Sequence, residues 1–329
     1  MPDRRRALLI ICLLALAALA VLLAALTVGS VTATAQDVWD ALGGKAKGLG
    51  SEVVLELRLP RALAGFACGG LLALAGALMQ LLLRNPLADP YVLGVSGGAA
   101  VGALLAMLLG LQALQQGAAF AGALATMLLV FGLAHGDGSW TQARLLLTGV
   151  VVASGCGAAV ALILSIAPEQ ALRGMLFWLM GDLSQSASPW PALALLAVGL
   201  LLLLPYARDL GLLARGGTAA QALGVPVARL RLVLYVVASL FTAVAVNIAG
   251  SIGFVGLVVP HVVRLAMRRS AGNDQRLLLP AAALAGGALL VAADTLARTL
   301  LAPQQLPVGV LTALIGVPVF LYLLARQGK

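Results

Sequence analysis

Ten apolar runs alternate with polar breaks along the chain, at 7–28, 62–83, 92–111, 117–134, 143–166, 190–206, 230–249, 252–267, 277–301 and 306–325. About 20 apolar residues wound as a helix match the hydrocarbon thickness of a bilayer. In lipid the backbone must also satisfy its own polar groups, which a helix does. The pattern therefore predicts an all-α, polytopic membrane bundle of about ten transmembrane helices, forming a single domain over 1–329. The eighth run is short and carries Pro260, His261 and Arg264, so it reads as a half-helix or a re-entrant piece. The sharpest break is "RNPLADPYVLGVSGGAAVG" (84–102), between the second and third runs. Pro86 and Pro90 forbid one continuous helix through both. Asn85 and Asp89 are suited to cap the broken ends, and Gly94, Gly97 and Gly98 let the next helix approach its neighbours closely.

Composition agrees with this class. Of 329 residues, 62% are hydrophobic and 10% charged, against roughly 25% charged in a soluble domain. The first run follows Arg4, Arg5 and Arg6 and resembles a signal peptide, but its 22 residues exceed the roughly 7–15 of a signal core, so it is read as the first span. With the N-terminus inside and alternating spans, 15 of the 21 Lys and Arg face the cytoplasm, Arg269 and Lys329 among them. Six fall outside: Lys45, Lys47, Arg58, Arg61, Arg173 and Arg298. This asymmetry places both termini in the cytoplasm, and it reads the net charge of +9 as topology rather than nucleic-acid binding. Small residues crowd the spans, as in "GFACGGLLALAGALMQ", which implies tight helix packing.

Several chemistries are excluded. Of twelve acids only Asp294 lies inside an apolar run, with Arg298 four residues on, so there is no ladder of intramembrane acids for a proton-coupled carrier. His135 and His261 have no partner at metal-ligand spacing, and Cys12, Cys68 and Cys156 stand singly; no metal site is expected. No GxSxG or GxxxxGK[ST] motif occurs, so any pumping energy comes from another subunit. The longest inside loop, 207–229, is either an ordinary solvated loop or a docking surface; its length exceeds most helix–helix connections.

Six stretches together resemble one family: "RLPRALAG" (58–65), "GALMQLLLRNPLADPYVLGVSGGA" (76–99), "ALGVP" (222–226), "GSIGFVGLVVPHVVR" (250–264), "LLLPAAALAGGALLVAADTLAR" (277–298) and "LPVGVLTALIGVPVF" (306–320). They are similar to the FecCD-type permeases, membrane subunits of bacterial ABC importers for ferric siderophores, haem and vitamin B12. The resemblance implies a bacterial inner-membrane permease working as two copies. Two cytoplasmic ATPase subunits would use ATP and Mg, and a periplasmic binding protein would deliver cargo. The chain itself would bind no cofactor; besides these partners it would touch only membrane lipid.

The resemblance also assigns sites. Asn85 and Leu87, with Thr141 and Gln142 opposite, would form the cytoplasmic gate. Arg215, Gly216, Ala219, Ala220, Leu223 and Gly224 would couple to the ATPase. Arg58, Arg61 and Arg298 would receive acidic residues of the binding protein, which answers why they defy the positive-inside rule. Two departures stand out: Gly217 and Thr218 replace the acids common before "ALGVP", and Gln305 replaces a common Glu. Cargo is haem or cobalamin by the look of "WLMGDLSQ" and "ADTLARTLLAP", with ferric siderophore next, and the pathway is expected to hold few polar groups. The alternatives are an ion-coupled secondary transporter of a bulky solute and a membrane-embedded enzyme, for which no catalytic constellation is present.

Overall fold

A computed structural model of the chain describes residues 4–29, 33–45, 48–134, 141–184, 188–268, 270, 274–302 and 304–327. Lys47, His135, Arg269 and Lys329 lie outside the described residues. The helices in chain order are α1 (Arg4–Thr27), α2 (Ala35–Leu42), α3 (Leu49–Val53), α4 (Leu59–Leu82), α5 (Val95–Leu108), α6 (Gln115–Ala134), α7 (Gln142–Ile166), α8 (Glu169–Met180), α9 (Trp190–Leu203), α10 (Ala207–Arg215), α11 (Gly217–Ala222), α12 (Val227–Ala249), α13 (Val255–Met267), α14 (Gln275–Thr299) and α15 (Val308–Gln327). The ten apolar runs become, in order, α1, α4, α5, α6, α7, α9, α12, α13, α14 and α15. No strand occurs among the described residues.

The centre of the bundle is α4. From Ala67 to Leu82 every residue is buried, as expected of a helix that is apolar on all faces. It is wrapped by α14, α12, α13 and α9. Because lipid is as apolar as leucine, the wrapping depends on close contact rather than on exclusion of water. Two glycines permit it: a Cβ on Gly69 would collide with the carbonyl of Gly286, and one on Gly76 with the carbonyl of Gly256. Above α4 the chain runs helically through α3 and a π-helical turn, Val54–Arg58. The continuous Leu49–Leu82 segment has 34 residues, about 51 Å at 1.5 Å per residue, so its outer end projects beyond a bilayer core.

Among the described residues six helical segments are long and apolar enough to cross a membrane, or seven if the bent pair α9–α10 counts as one span. The eighth run is short, as its proline and charges suggest: α13 has 13 residues. Two further helices are equally short, α5 and α9, with 14 residues each, or about 21 Å against a core of about 30 Å. The sixth run, 190–206, ends early because the chain bends by 70° between α9 and α10. In front of α5 stand a 3₁₀ turn (Pro90–Leu93) and Gly94 in the left-handed region at φ 74°. In front of α13 stands an irregular segment, 250–254, that ends on Phe254 at φ 68°.

These two irregular segments satisfy each other inside the bundle. Tyr91 Oη donates to the carbonyl of Ile252 and accepts from its N–H, both at 2.9 Å. Ser96 and Ser251 share a hydroxyl bond of 3.1 Å, and Gln80 Nε2 donates to the carbonyl of Leu257 at 3.1 Å. Non-helical backbone at membrane depth survives only when protein partners replace water, and here each break serves as the other's partner. Gly256 packs against Pro90 and Leu72. Pro90 has therefore climbed back along α4 by about 9 Å from its end at Leu82, taking 1.5 Å per residue from the level of Gly76. The "RNPLADP" stretch is a re-entrant turn as well as a connection.

Candidate functional site

The outer end of α4 is built around one buried carboxylate. Asp294 of α14, 3% exposed, accepts from Arg61 Nη2 at 2.8 Å and from Arg61 Nε at 3.0 Å, the planar fork that suits arginine to carboxylates. Arg298, one turn along α14, pairs with the same carboxylate at 3.3 Å. Arg61 Nη1 also donates to Gln305 Oε1 at 2.9 Å, so the amide that replaces the expected Glu still serves this guanidinium. Arg58 is used differently. It is 4% exposed, and Nη1 donates to the carbonyls of Leu26 and Thr27 at 2.8 Å each. Arg298 Nη2 reaches the carbonyl of Ala25 at 3.3 Å. Three successive carbonyls at the outer end of α1 are thus held by two arginines, where the helix dipole favours positive charge. The three arginines do lie together, each with partners inside the chain.

Beside this cluster lies a cavity of about 1110 Å³ at the outer ends of α5, α6, α8 and α12 and the α14–α15 connection. Its wall includes Gln112, Gln115, Gln116, Gln170, Gln304 and Gln305, with Asn247, Arg173 and Asp182. The Arg173 guanidinium lies 5.9 Å from the centroid of Phe177. Asn247 Oδ1 is buried without a partner, an acceptor available to a donor entering the cavity. The spans are poor in polar groups, but this chamber is rich in amides. Sequence reasoning missed it because the glutamines come from separate segments and gather only in the fold.

At the inner end, Asn85 Oδ1 accepts from the Leu87 N–H at 2.9 Å, holding the turn with Leu87 at the surface. Thr141 caps α7, accepting from the Arg144 N–H at 3.2 Å, and Gln142 Nε2 donates to the Leu82 carbonyl at 2.7 Å. The start of α7 is thereby bonded to the end of α4, which brings the four expected gate residues into one neighbourhood. Asp89 accepts from the Tyr91 N–H at 2.7 Å, and burial pushes its carboxyl up to about 6.

Of the expected coupling residues, Arg215, Ala219, Leu223 and Gly224 are exposed, while Gly216 and Ala220 are buried beneath them. Leu223, 64% exposed, is a large apolar side chain on the surface of the α10–α11 corner. Gly216, at φ 138°, makes the corner between α10 and α11. A residue the sequence did not single out stands beside it: Arg84 Nη2 lies 3.7 Å from where a Cβ on Gly216 would be. His261 is buried within α13.

Residues 14–326 match the FecCD transport family. The chain belongs to the FecCD transport family. This FecCD protein is the membrane-spanning, multi-pass permease subunit of an ABC importer, and the family's permeases lack an ATPase of their own. It is 47% identical over 278 residues to the cobalamin import system permease protein BtuC of Halobacterium salinarum, covering 83% of this chain and 73% of that protein. It is 45% identical over 285 residues to the hemin transport system permease protein HmuU of Yersinia pestis, covering 83% of each. Its fold matches a solved metal-chelate type ABC transporter in an inward-facing conformation, with TM-score 0.83 and 30% identity over 97% of this chain and 99% of that one.

Proposed function

We propose that two copies of this permease form a pathway through the cytoplasmic membrane, with both termini inside. A soluble binding protein delivers cargo at the outer face, and two cytoplasmic ATPase subunits supply energy from ATP and Mg. The cargo in this reading is a tetrapyrrole-type metal chelate, cobalamin first and haem second. The observation that carries it is the outer cavity: about 1110 Å³, just above the roughly 300–1,000 Å³ typical of small-molecule pockets and lined by amides. Among the described residues of its wall one cation, Arg173, is matched by one anion, Asp182. A neutral, hydrogen-bonding wall suits the carboxamide-bearing rim of a corrin better than the two carboxylates of haem. Relatives named for cobalamin and hemin import agree with this class.

The same reading assigns the two ends. Arg61 borders the cavity through Gln305, and Arg61 and Arg298 share the single carboxylate of Asp294. The resulting positive field favours acidic residues on the binding protein, with Arg58 contributing from beneath. At the inner face, Arg215, Ala219 and Leu223 are the exposed groups an ATPase would cover, and Asn85, Leu87, Thr141 and Gln142 form the gate. Reconstitution of the permease with its ATPase and binding protein in vesicles tests the proposal. Radiolabelled cobalamin should accumulate only with ATP and the binding protein. Uptake driven by an ion gradient without ATP would instead establish a secondary carrier, and ATP-dependent accumulation of haem alone would select the second cargo.

A further inference from the structure

The last turn of α4 closes in a way its sequence disfavours. The Asn85 N–H bonds to the carbonyl of Gln80 at 3.2 Å and the Arg84 N–H to that of Leu81 at 3.4 Å. These are the paired bonds of a Schellman cap, whose left-handed position is normally glycine. Here that position is Arg84, at φ 49°. A bulky side chain in this region is strained, and such strain persists where the surroundings use the residue. The backbone alone would be better served by glycine, so the use must lie in the side chain. It crosses to the α10–α11 corner, where Nη2 meets buried Gly216. On the other side of that corner Arg231 of α12 approaches Gly217, with Nη2 3.0 Å from where a Cβ would stand. Gln142 meanwhile bonds the carbonyl of Leu82, two residues before Arg84.

The geometry points to Arg84 as the positioning residue that joins the ATPase dock to the inner gate. Its guanidinium rests on the corner that the dock would move, and its backbone is the first residue of the turn that carries Asn85 and Leu87. A shift of α10 and α11 is delivered to that turn through one side chain, without passing through the membrane helices. The left-handed backbone is what aims the side chain at the corner. This rests on the reading of 207–229 as the dock.

The test uses the full permease–ATPase complex, with Cys12, Cys68 and Cys156 replaced and Leu87→Cys as the probe position. The rate of labelling by a membrane-impermeant maleimide is measured nucleotide-free and with nucleotide trapped. With Arg84 present the two rates should differ severalfold. In Arg84→Gly the melting temperature should hold or rise, the ATPase should still co-purify, and the ratio of rates should fall to about one. Arg84→Lys should restore most of the ratio, and Arg84→Ala should lose both the ratio and some thermal stability. An undiminished ratio in Arg84→Gly overturns the inference. Loss of the ATPase from that complex overturns it too, by making Arg84 a docking contact. Failure of the dock itself registers separately, as full assembly and an undiminished ratio in Arg215→Glu.

Discussion

Removing the Arg58 side chain should loosen α1 before it affects any partner. Arg58→Ala leaves the carbonyls of Leu26 and Thr27 without the guanidinium that each now meets at 2.8 Å. A hydrogen bond to a charged group contributes about 1.5–3 kcal/mol, so the pair sets the loss at roughly 3–6 kcal/mol. The lower end, about 3 kcal/mol, is expected, because freed carbonyls at the outer end of a membrane helix regain water at little cost. The effect should be visible because α1 is mostly uncovered within one copy and packs chiefly on α14. A further polar tie, from Arg298 to Ala25, is longer at 3.3 Å. The assay is equilibrium unfolding of the purified permease in mixed micelles, with Arg58→Lys, which keeps the charge but not the fork, expected to fall between. A loss below about 1 kcal/mol in Arg58→Ala, or normal stability with abolished binding-protein affinity, would refute the clamp and return Arg58 to the docking face.

The other predictions concern single groups. The Asp89 carboxyl is raised from 3.8 to about 6 by burial, so its contribution to stability is full below pH 4 and lost as pH rises through 6. Asp89→Asn keeps an oxygen for the Tyr91 N–H; it should melt higher than the parent at pH 7.5 and equally at pH 4, and equal melting at both values would contradict the shift. Gln305→Glu gives Arg61 a second carboxylate; binding-protein affinity should drop severalfold in surface plasmon resonance while thermal stability holds, and unchanged affinity would exclude Arg61 from docking. Gly76→Ala forces a methyl against the Gly256 carbonyl and should cost about 1–3 kcal/mol or more, whereas Gly132→Ala, with open space around it, should be silent; equal unfolding midpoints for the two would refute the close approach.

The ten apolar runs were legible because lipid imposes one demand on every span, and each run became one helix. The eighth announced its shortness through Pro260 and Arg264. The shortness of α5 and α9 was hidden, since an apolar residue in a 3₁₀ turn or a bend has the same hydropathy as one in a helix. The motif around Asn85 and Asp89 marked a break: Asp89 caps the 3₁₀ turn, whereas Asn85 caps neither helix and braces the turn through the Leu87 N–H. How far that break climbs depends on Tyr91 meeting Ile252, a pairing 161 residues apart in sequence. The outer arginines were conspicuous by their charge on the wrong side. Which partner each takes was not readable, because the carbonyls of Leu26 and Thr27 leave no trace in residue identity. Arg84 was hidden for the same reason: its left-handed backbone is a property of the turn, and an arginine at the cytoplasmic face looks like ordinary topology.

The burial of α4 on every side has a consequence for how such a permease can change. Every position from Ala67 to Leu82 is buried among neighbouring helices, so each substitution there is felt first by those helices. The amides around the outer cavity sit on the 3₁₀ turn Gln112–Leu114, the first turns of α6 and α8, the last turn of α12 and the α14–α15 connection, none of them part of α4. Ancestry can therefore rewrite what the chamber recognises while the mast beneath it stays fixed. One folding solution then serves chemically different freight, and relatives at nearly equal distance can carry names for different cargoes.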